Sequence, residues 1–237
     1  MQLKINIILD APLIMPIGYH HILQSVYYKL MSGDIGTTTL HDKGVAYNNR
    51  DYKLFTFGPI EGKFVISNGR IVFTNNVSIE FRAYNVEIVD SIYSNICKYG
   101  ITFGEHTYKD IKMELLDKHI DVNKVIVRQI SPICVYETDS KTKHTIYYNP
   151  GMEEFYNGIQ DNFCRKYYAS QGEMGEIFIS KIDGCPNDKY ITKYKGFIIE
   201  AYKGTYMLSG NEKYLDFLYQ VGLGAKNSQG FGMFEIV

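Results

Sequence analysis

The strongest constraint on this chain is a change of hydrophobic rhythm that occurs twice. Near the N-terminus, Leu3, Ile5 and Ile7 alternate with Gln2, Lys4 and Asn6. That alternation belongs to a half-buried strand. From Tyr19 to Met31 the apolar residues Ile22, Leu23, Val26, Tyr27 and Leu30 recur at helical spacing, and Ser32-Gly33 supplies a stop. The polar stretch 34–51 then reads as a long connection. Strand-like runs follow at Lys53–Phe57, Lys63–Ser67, Arg70–Thr74 and Val77–Tyr84, punctuated by Gly58-Pro59 and Asn68-Gly69. A short helix is expected over Ser91–Cys97 and extended chain over 101–116. The second round opens with a strand at Val125–Val135. Phe155, Ile159, Phe163 and Tyr167 then fall on one face of a helix over Met152–Tyr168. Strands are expected at Glu176–Ile182 and Tyr190–Lys203, a helix at Glu212–Val221 and a last strand at Phe231–Val237.

Each round therefore reads strand, helix, strands, helix, strand. The expected fold class is α+β, with two tandem ferredoxin-like (RRM-like) βαββαβ domains spanning 1–122 and 123–237. A chain of 237 residues, 45% hydrophobic, has enough apolar surface for two cores.

Composition narrows the function. The net charge is -1, so any nucleic-acid interface must be a local patch rather than a global basic field. The 21 Tyr and 13 Phe serve equally as strand residues and as stacking platforms for unpaired bases. Cys97, Cys134, Cys164 and Cys185 make no C-x-x-C pair, which argues for reduced thiols in a cytoplasmic protein and against zinc. No window approaches a transmembrane span, and Met1–Gly18 lacks the pattern of a secretory leader. Asn76-Val-Ser78 fits a glycosylation acceptor by chance alone under that reading.

The tail is the most informative segment. Gly222-Leu-Gly224-Ala-Lys226-Asn227-Ser228-Gln-Gly230-Phe-Gly232 holds four glycines in eleven residues. A dinucleotide fingerprint needs glycine where Asn227 stands, and the chain after Gly232 is too short for the rest of its unit. The Gly-Lys-Ser/Thr of a phosphate-binding P-loop is absent. Two readings remain: a tight turn into the last strand, or a loop whose backbone N–H groups approach RNA phosphates.

This spacing, with the segment Tyr219–Phe234 around it, resembles the glycine-rich loop of the CRISPR repeat-processing endoribonucleases, members of the repeat-associated RNA-binding superfamily. Leu23–Met31, Leu40-His41 and Lys53-Leu-Phe-Thr-Phe57 are similar to that family's first helix and catalytic stretch. The resemblance implies metal-independent cleavage of CRISPR precursor RNA, with no cofactor. In that chemistry a ribose 2′-OH attacks the adjacent phosphate, giving 2′,3′-cyclic phosphate and 5′-OH ends. It implies catalytic roles for His41 as general acid or base, Tyr28 as the group that orients or deprotonates the 2′-OH, and Lys53 as the cation beside the phosphorane. His20 and His21 are alternates for the histidine, and Lys43 or Arg50 for the lysine.

RNA contacts are expected from Gly222, Gly224, Lys226, Asn227, Ser228, Gly230 and Gly232, and from Lys193 and Lys195. The latter two share a stretch with Lys189, Lys203, Tyr190, Tyr194 and Tyr202. Lys141, Lys143 and His144 form a second small basic cluster. The implied partners are CRISPR repeat RNA and its crRNA product, with other CRISPR-associated proteins of an effector complex as further partners. A non-catalytic RNA-binding subunit of such a complex is the rival reading, and a ferredoxin-like metabolite-binding protein a more distant one.

Overall fold

The computed structural model describes residues 1–32, 44–48, 50–194 and 196–237. His41, Lys43, Lys195 and Gly33, all singled out in the sequence, lie outside the described residues.

The N-terminal half runs β1 (Gln2–Ile7), β2 (Leu13–Pro16), α1 (His20–Ser32), β3 (Val45–Tyr47), β4 (Arg50–Tyr52), β5 (Phe55–Phe57), β6 (Phe64–Ser67), β7 (Arg70–Phe73), β8 (Val77–Ala83), α2 (Val86–Tyr99), β9 (Ile101–Phe103), β10 (His106–Tyr108) and β11 (Ile111–Leu116). Its main sheet has the order β11-β1-β8-β5, antiparallel throughout. β1 lies inside that sheet, so Leu3, Ile5 and Ile7 are fully buried. Leu3 faces Leu115 on one side and Phe81 on the other. α1 and α2 cover the buried face.

The C-terminal half runs β12 (Lys124–Gln129), β13 (Tyr136–Thr138), β14 (Thr145–Tyr147), α3 (Glu153–Gln171), β15 (Ile177–Lys181), β16 (Asp188–Tyr194), β17 (Phe197–Lys203), β18 (Thr205–Gly210), α4 (Glu212–Val221) and β19 (Phe234–Ile236). Its main sheet has the order β15-β18-β12-β19. In both halves the first strand sits between the third and the fourth, and the second lies at an edge. The molecule is α+β, with duplicated sheet-and-helix units that resemble two ferredoxin-like domains.

Local chemistry sets the helix ends. Asn85 caps α2 by accepting the Glu87 N–H at 2.9 Å, and Asn211 caps α4 by accepting that of Lys213 at 3.1 Å. Gly172 ends α3 in the left-handed region. Phe155, Ile159, Phe163 and Tyr167 of α3 are all buried, as their spacing requires.

Several expectations are corrected. Tyr190–Lys203 is not one strand but the hairpin β16–β17, in which Tyr194 faces Phe197 across the turn at Gly196 (φ 91°). Gly196 is the one turn-favouring residue in that run, so the reversal carries little local signal. The inner strand beside β12 is instead β18, which periodicity did not single out. Within 34–51, the residues from Val45 belong partly to a β3–β4 hairpin, not wholly to an open connection. The short helix at Ser91–Cys97 is the full α2, because Asn85 starts it earlier. β12 stops at Gln129, where the chain leaves the sheet before Pro132.

The halves are tied by specific bonds. Arg82 of β8 is buried, accompanied by Glu80 at 2.6 Å, and stacks 4.0 Å from the Tyr219 ring. Its Nη1 donates to Phe234 O at 2.7 Å and Tyr219 O at 3.3 Å. A buried guanidinium needs such partners for every donor it keeps from water. Thr56 Oγ1 donates to Phe231 O at 3.2 Å, and the N-terminal ammonium to Gln220 Oε1 at 3.0 Å.

Candidate nucleic-acid interface

The segment between α4 and β19 is a tightly folded loop. Gly222, Gly224, Gly230 and Gly232 all have φ between 66° and 85° and are buried. A Cβ at Gly232 would stand 2.0 Å from Leu223 O, and one at Gly224 would stand 2.7 Å from Cys134 O. Glycine is required here by close approach of backbone to backbone. The N–H groups of Gly222, Gly230 and Gly232 donate to Leu218 O, Asn227 O and Pro132 O. These three donors are committed inside the protein.

Two side chains hold the loop from within. Asn227 is buried, and its Nδ2 donates to Leu223 O and Phe231 O, each at 3.0 Å. Lys166 reaches up from α3 and donates to Gly222 O at 2.8 Å, Asn227 Oδ1 at 2.9 Å and Gly224 O at 3.3 Å. Burial pulls the Lys166 ammonium down to about 7. The loop then presents Lys226 and Ser228. Lys226 adopts φ 62° and places Nζ 4.6 Å from the centre of the Tyr136 ring.

Lys226 and Ser228 line a cleft of about 410 Å³ that also holds Arg50, Lys53, Tyr136 and Lys166. Lys53 precedes β5 and is half-buried. A Cβ at Gly44 would lie 3.1 Å from its Nζ, so Lys53 and Gly44 are close neighbours. A second cleft of about 370 Å³ shares Arg50, Tyr136 and Asn162 and continues along α3 past Arg165.

α1 brings further expected residues to the loop. Gln24 is buried and donates through Nε2 to Ser228 O at 2.8 Å and to Tyr28 Oη at 3.4 Å. Its Oε1 accepts from Tyr194 Oη of the β16–β17 hairpin. Tyr28 is half-buried, edge-on to Phe55 with centroids 6.1 Å apart. His20 is buried against Tyr19, Tyr190 and Phe231. Its Nδ1 meets Gln229 O at 3.2 Å, so that nitrogen carries the proton, and burial lowers its proton affinity. His21 is exposed and its Nδ1 meets Gly18 O at 3.0 Å.

The structure thus groups Tyr28, Lys53, Lys226 and Ser228 around the loop and keeps His20 in the interior. Lys193 is exposed on β16, whereas Lys189 pairs with Glu200 at 2.6 Å and Lys203 is half-buried. Lys141, Lys143 and His144 sit apart, on the exposed β13–β14 turn. Sequence reasoning missed Lys166, Gln24 and Tyr136. A signal for Lys166 was present: it lies three residues after Phe163 and seven after Ile159, on the apolar stripe of α3. Among the described residues, no group of three or more His, Cys, Asp or Glu is placed to hold a metal ion, and no helix is long and apolar enough to cross a membrane.

Residues 114–236 match the family model described as CRISPR associated protein Cas6, C-terminal. A curated relative from Methanocaldococcus jannaschii, "CRISPR-associated endoribonuclease Cas6 1", is 23% identical over 252 residues, covering 98% of this chain and 91% of that protein. Among solved structures, one described as CRISPR associated protein Cas6 superposes with a TM-score of 0.79 at 19% identity, over 100% of this chain and 99% of that one. A Cas6-related protein from Pyrococcus furiosus does so with a TM-score of 0.81 at 20% identity, over 100% and 98%. A third, described as a RAMP protein binding different RNA substrates, gives 0.80 at 20% identity, over 100% and 99%. The structural likeness carries the fold and the matched model covers more than half of the sequence, so the chain belongs to the Cas6 family of CRISPR-associated proteins.

Proposed function

We propose that this chain is an endoribonuclease that cuts CRISPR precursor RNA within the repeat, without a metal, by attack of a ribose 2′-OH on the adjacent phosphate. Family membership supports the class of activity, and the relative from M. jannaschii carries that activity in its name. The observation that carries the reading is the cleft that joins Lys53 of the N-terminal half to Lys226 and Ser228 of the C-terminal half. Gln24 extends the arrangement by bridging Ser228 O and Tyr28 Oη.

In this reading Lys226 and Ser228 hold the RNA backbone, with Lys193 on the neighbouring hairpin and, by its sequence alone, Lys195 as further contacts. Gly222, Gly224, Gly230, Gly232 and Asn227 contribute by fixing the loop's shape. Tyr28 orients the 2′-OH. His41 transfers the proton, and Lys53 stabilises the charge that develops on the phosphorane. His41 is preferred over His20 because His20 is enclosed by three rings and its Nδ1 is taken by Gln229 O. His21 remains the alternate. The division into 1–122 and 123–237 is proposed on the same grounds: each span carries one complete sheet. The product crRNA and other CRISPR-associated proteins are the proposed partners.

The test is cleavage of a labelled repeat RNA in EDTA, beside His41→Ala and a substrate 2′-deoxy at the cut. A single cut by wild type, none of the deoxy substrate, and a loss of roughly 10²–10⁴-fold in His41→Ala are expected. Tight binding with no cut by wild type would sink the enzyme reading in favour of a non-catalytic RNA-binding subunit.

A further inference from the structure

Lys166 is an odd residue to find under a nucleic-acid site. It is 2% exposed, and no ion pair of Lys166 is present among the described residues. Its three hydrogen bonds go to neutral acceptors, Gly222 O, Gly224 O and Asn227 Oδ1. Three acceptors around one nitrogen call for three N–H donors, which only the ammonium form provides. The geometry favours the charged form and the burial opposes it. Yet Lys166 also lines the cleft into which Lys53, Lys226 and Ser228 face.

We propose that Lys166 is a positioning residue whose ammonium shapes the glycine-rich loop and whose missing counter-charge is a phosphate of the RNA held in the cleft. This rests on the function proposed above. The other charged groups of the cleft are Arg50, Asp51, Lys53 and Lys226. Glu137, Glu154, Asp161 and Arg165 line the neighbouring cleft. Asp51 and the three cations face the cleft from the β4–β5 segment and the loop, so the cleft itself is net positive. A phosphate entering it adds negative charge in a poorly solvated place and favours the protonated lysine. In the free protein burial leaves Lys166 near neutrality's edge, at about 7. RNA binding therefore takes up a proton, and by linkage the affinity falls as pH rises.

The experiment uses the full chain with His41→Ala and a 2′-deoxy repeat RNA, so that neither cleavage nor His41 contributes. Affinity is measured at pH 7, 8 and 9, with titration calorimetry at pH 8 in two buffers of different ionisation heat. Wild-type Lys166 is expected to lose about tenfold in affinity per pH unit above 7.5, with net proton uptake. Lys166→Arg keeps the charge at every pH and is expected to flatten the profile. Lys166→Met is expected to bind weakly at all three values. Should Lys166→Met fail to fold by circular dichroism, the wild-type proton uptake and the arginine variant decide. RNA binding that is independent of pH, or a slope that persists in Lys166→Arg, overturns the inference and leaves the function standing. Absence of RNA binding at every pH overturns both.

Discussion

The connection from the second helix to the fourth strand of the sheet is built twice in this molecule, and glycine does different work in the two versions. In the N-terminal half it is the β9–β10 hairpin, whose Gly104 turns at φ 62° into open space. In the C-terminal half it is the loop after α4, where each glycine is buried and an added Cβ at Gly232 or Gly224 would strike backbone. Both need a positive φ. Gly104 needs nothing more, whereas Gly224 and Gly232 also need the missing Cβ, because two further chain segments and Lys166 press against the loop. In the N-terminal version that demand falls only on Gly100 at the end of α2, where a Cβ would stand 2.3 Å from Tyr108 O. Glycine richness in the loop after α4 reflects close packing, not freedom. The result is a closely packed support that sets Lys226 and Ser228 in one cleft with Lys53.

The largest difference between the two glycine turns is expected from a pair of substitutions. Gly232→Ala is expected to destabilise the protein by about 4 kcal/mol or more, since the clash and the backbone strain add. Gly104→Ala is expected to cost only about 1–2 kcal/mol, the penalty for the left-handed conformation alone. Equal midpoints in urea would show that the two glycine turns are equivalent after all.

A second contrast divides chemistry from binding. Lys53→Ala, in the N-terminal half, is expected to lower the single-turnover cleavage rate by about 10²-fold, or roughly 2.7 kcal/mol, with little change in Kd. Lys226→Ala, in the C-terminal half, is expected to weaken RNA binding and to reduce the slope of log affinity against log salt by about 1. A rate unaffected by Lys53→Ala would move the phosphorane cation to Arg50 or to Lys43.

The mildest test concerns the seam between the halves. His119 follows β11 and lies between Asp117 at 3.0 Å and Asp216 of α4 at 3.1 Å. The hydrogen bond that His119 donates to Asp216, then that carboxylate's charge, raises the His119 pKa above the ordinary value. Its contribution is complete below the unfolded value near 6.5 and is lost as pH rises through the raised folded value. Because the ring is 54% exposed, solvent screening limits this to a few tenths of a kcal/mol. His119→Gln is expected to remove the decline in stability on the alkaline side of pH 6.5. A decline of unchanged size in the variant would assign it to another group.

Much of the fold was legible because strong periodicity survives in a single sequence. The alternation at Leu3, Ile5 and Ile7 and the spacing from Phe155 to Tyr167 each placed an element and its buried face. Legibility failed at Tyr190–Lys203, where Gly196 is the one residue that marks the reversal, and at Thr205–Gly210, a strand with glycine at its end. At the site, Lys53, Tyr28 and the glycine spacing were visible as residue types. The burial of His20 and the committed N–H groups of the loop were not, because both depend on segments distant in the chain.

Two rounds of strand and helix, the glycine pattern of the tail, and the residue types for acid–base and phosphate chemistry are all written in local stretches of sequence. These follow from local rules, since periodicity and φ preference act within a few residues. Long-range packing sets which lysine lies under the loop, which histidine is sealed by aromatic rings, and that Lys53 and Lys226 share one cleft. Burial and hydrogen-bond partners are properties of segments brought together across the whole chain, and no local pattern encodes them.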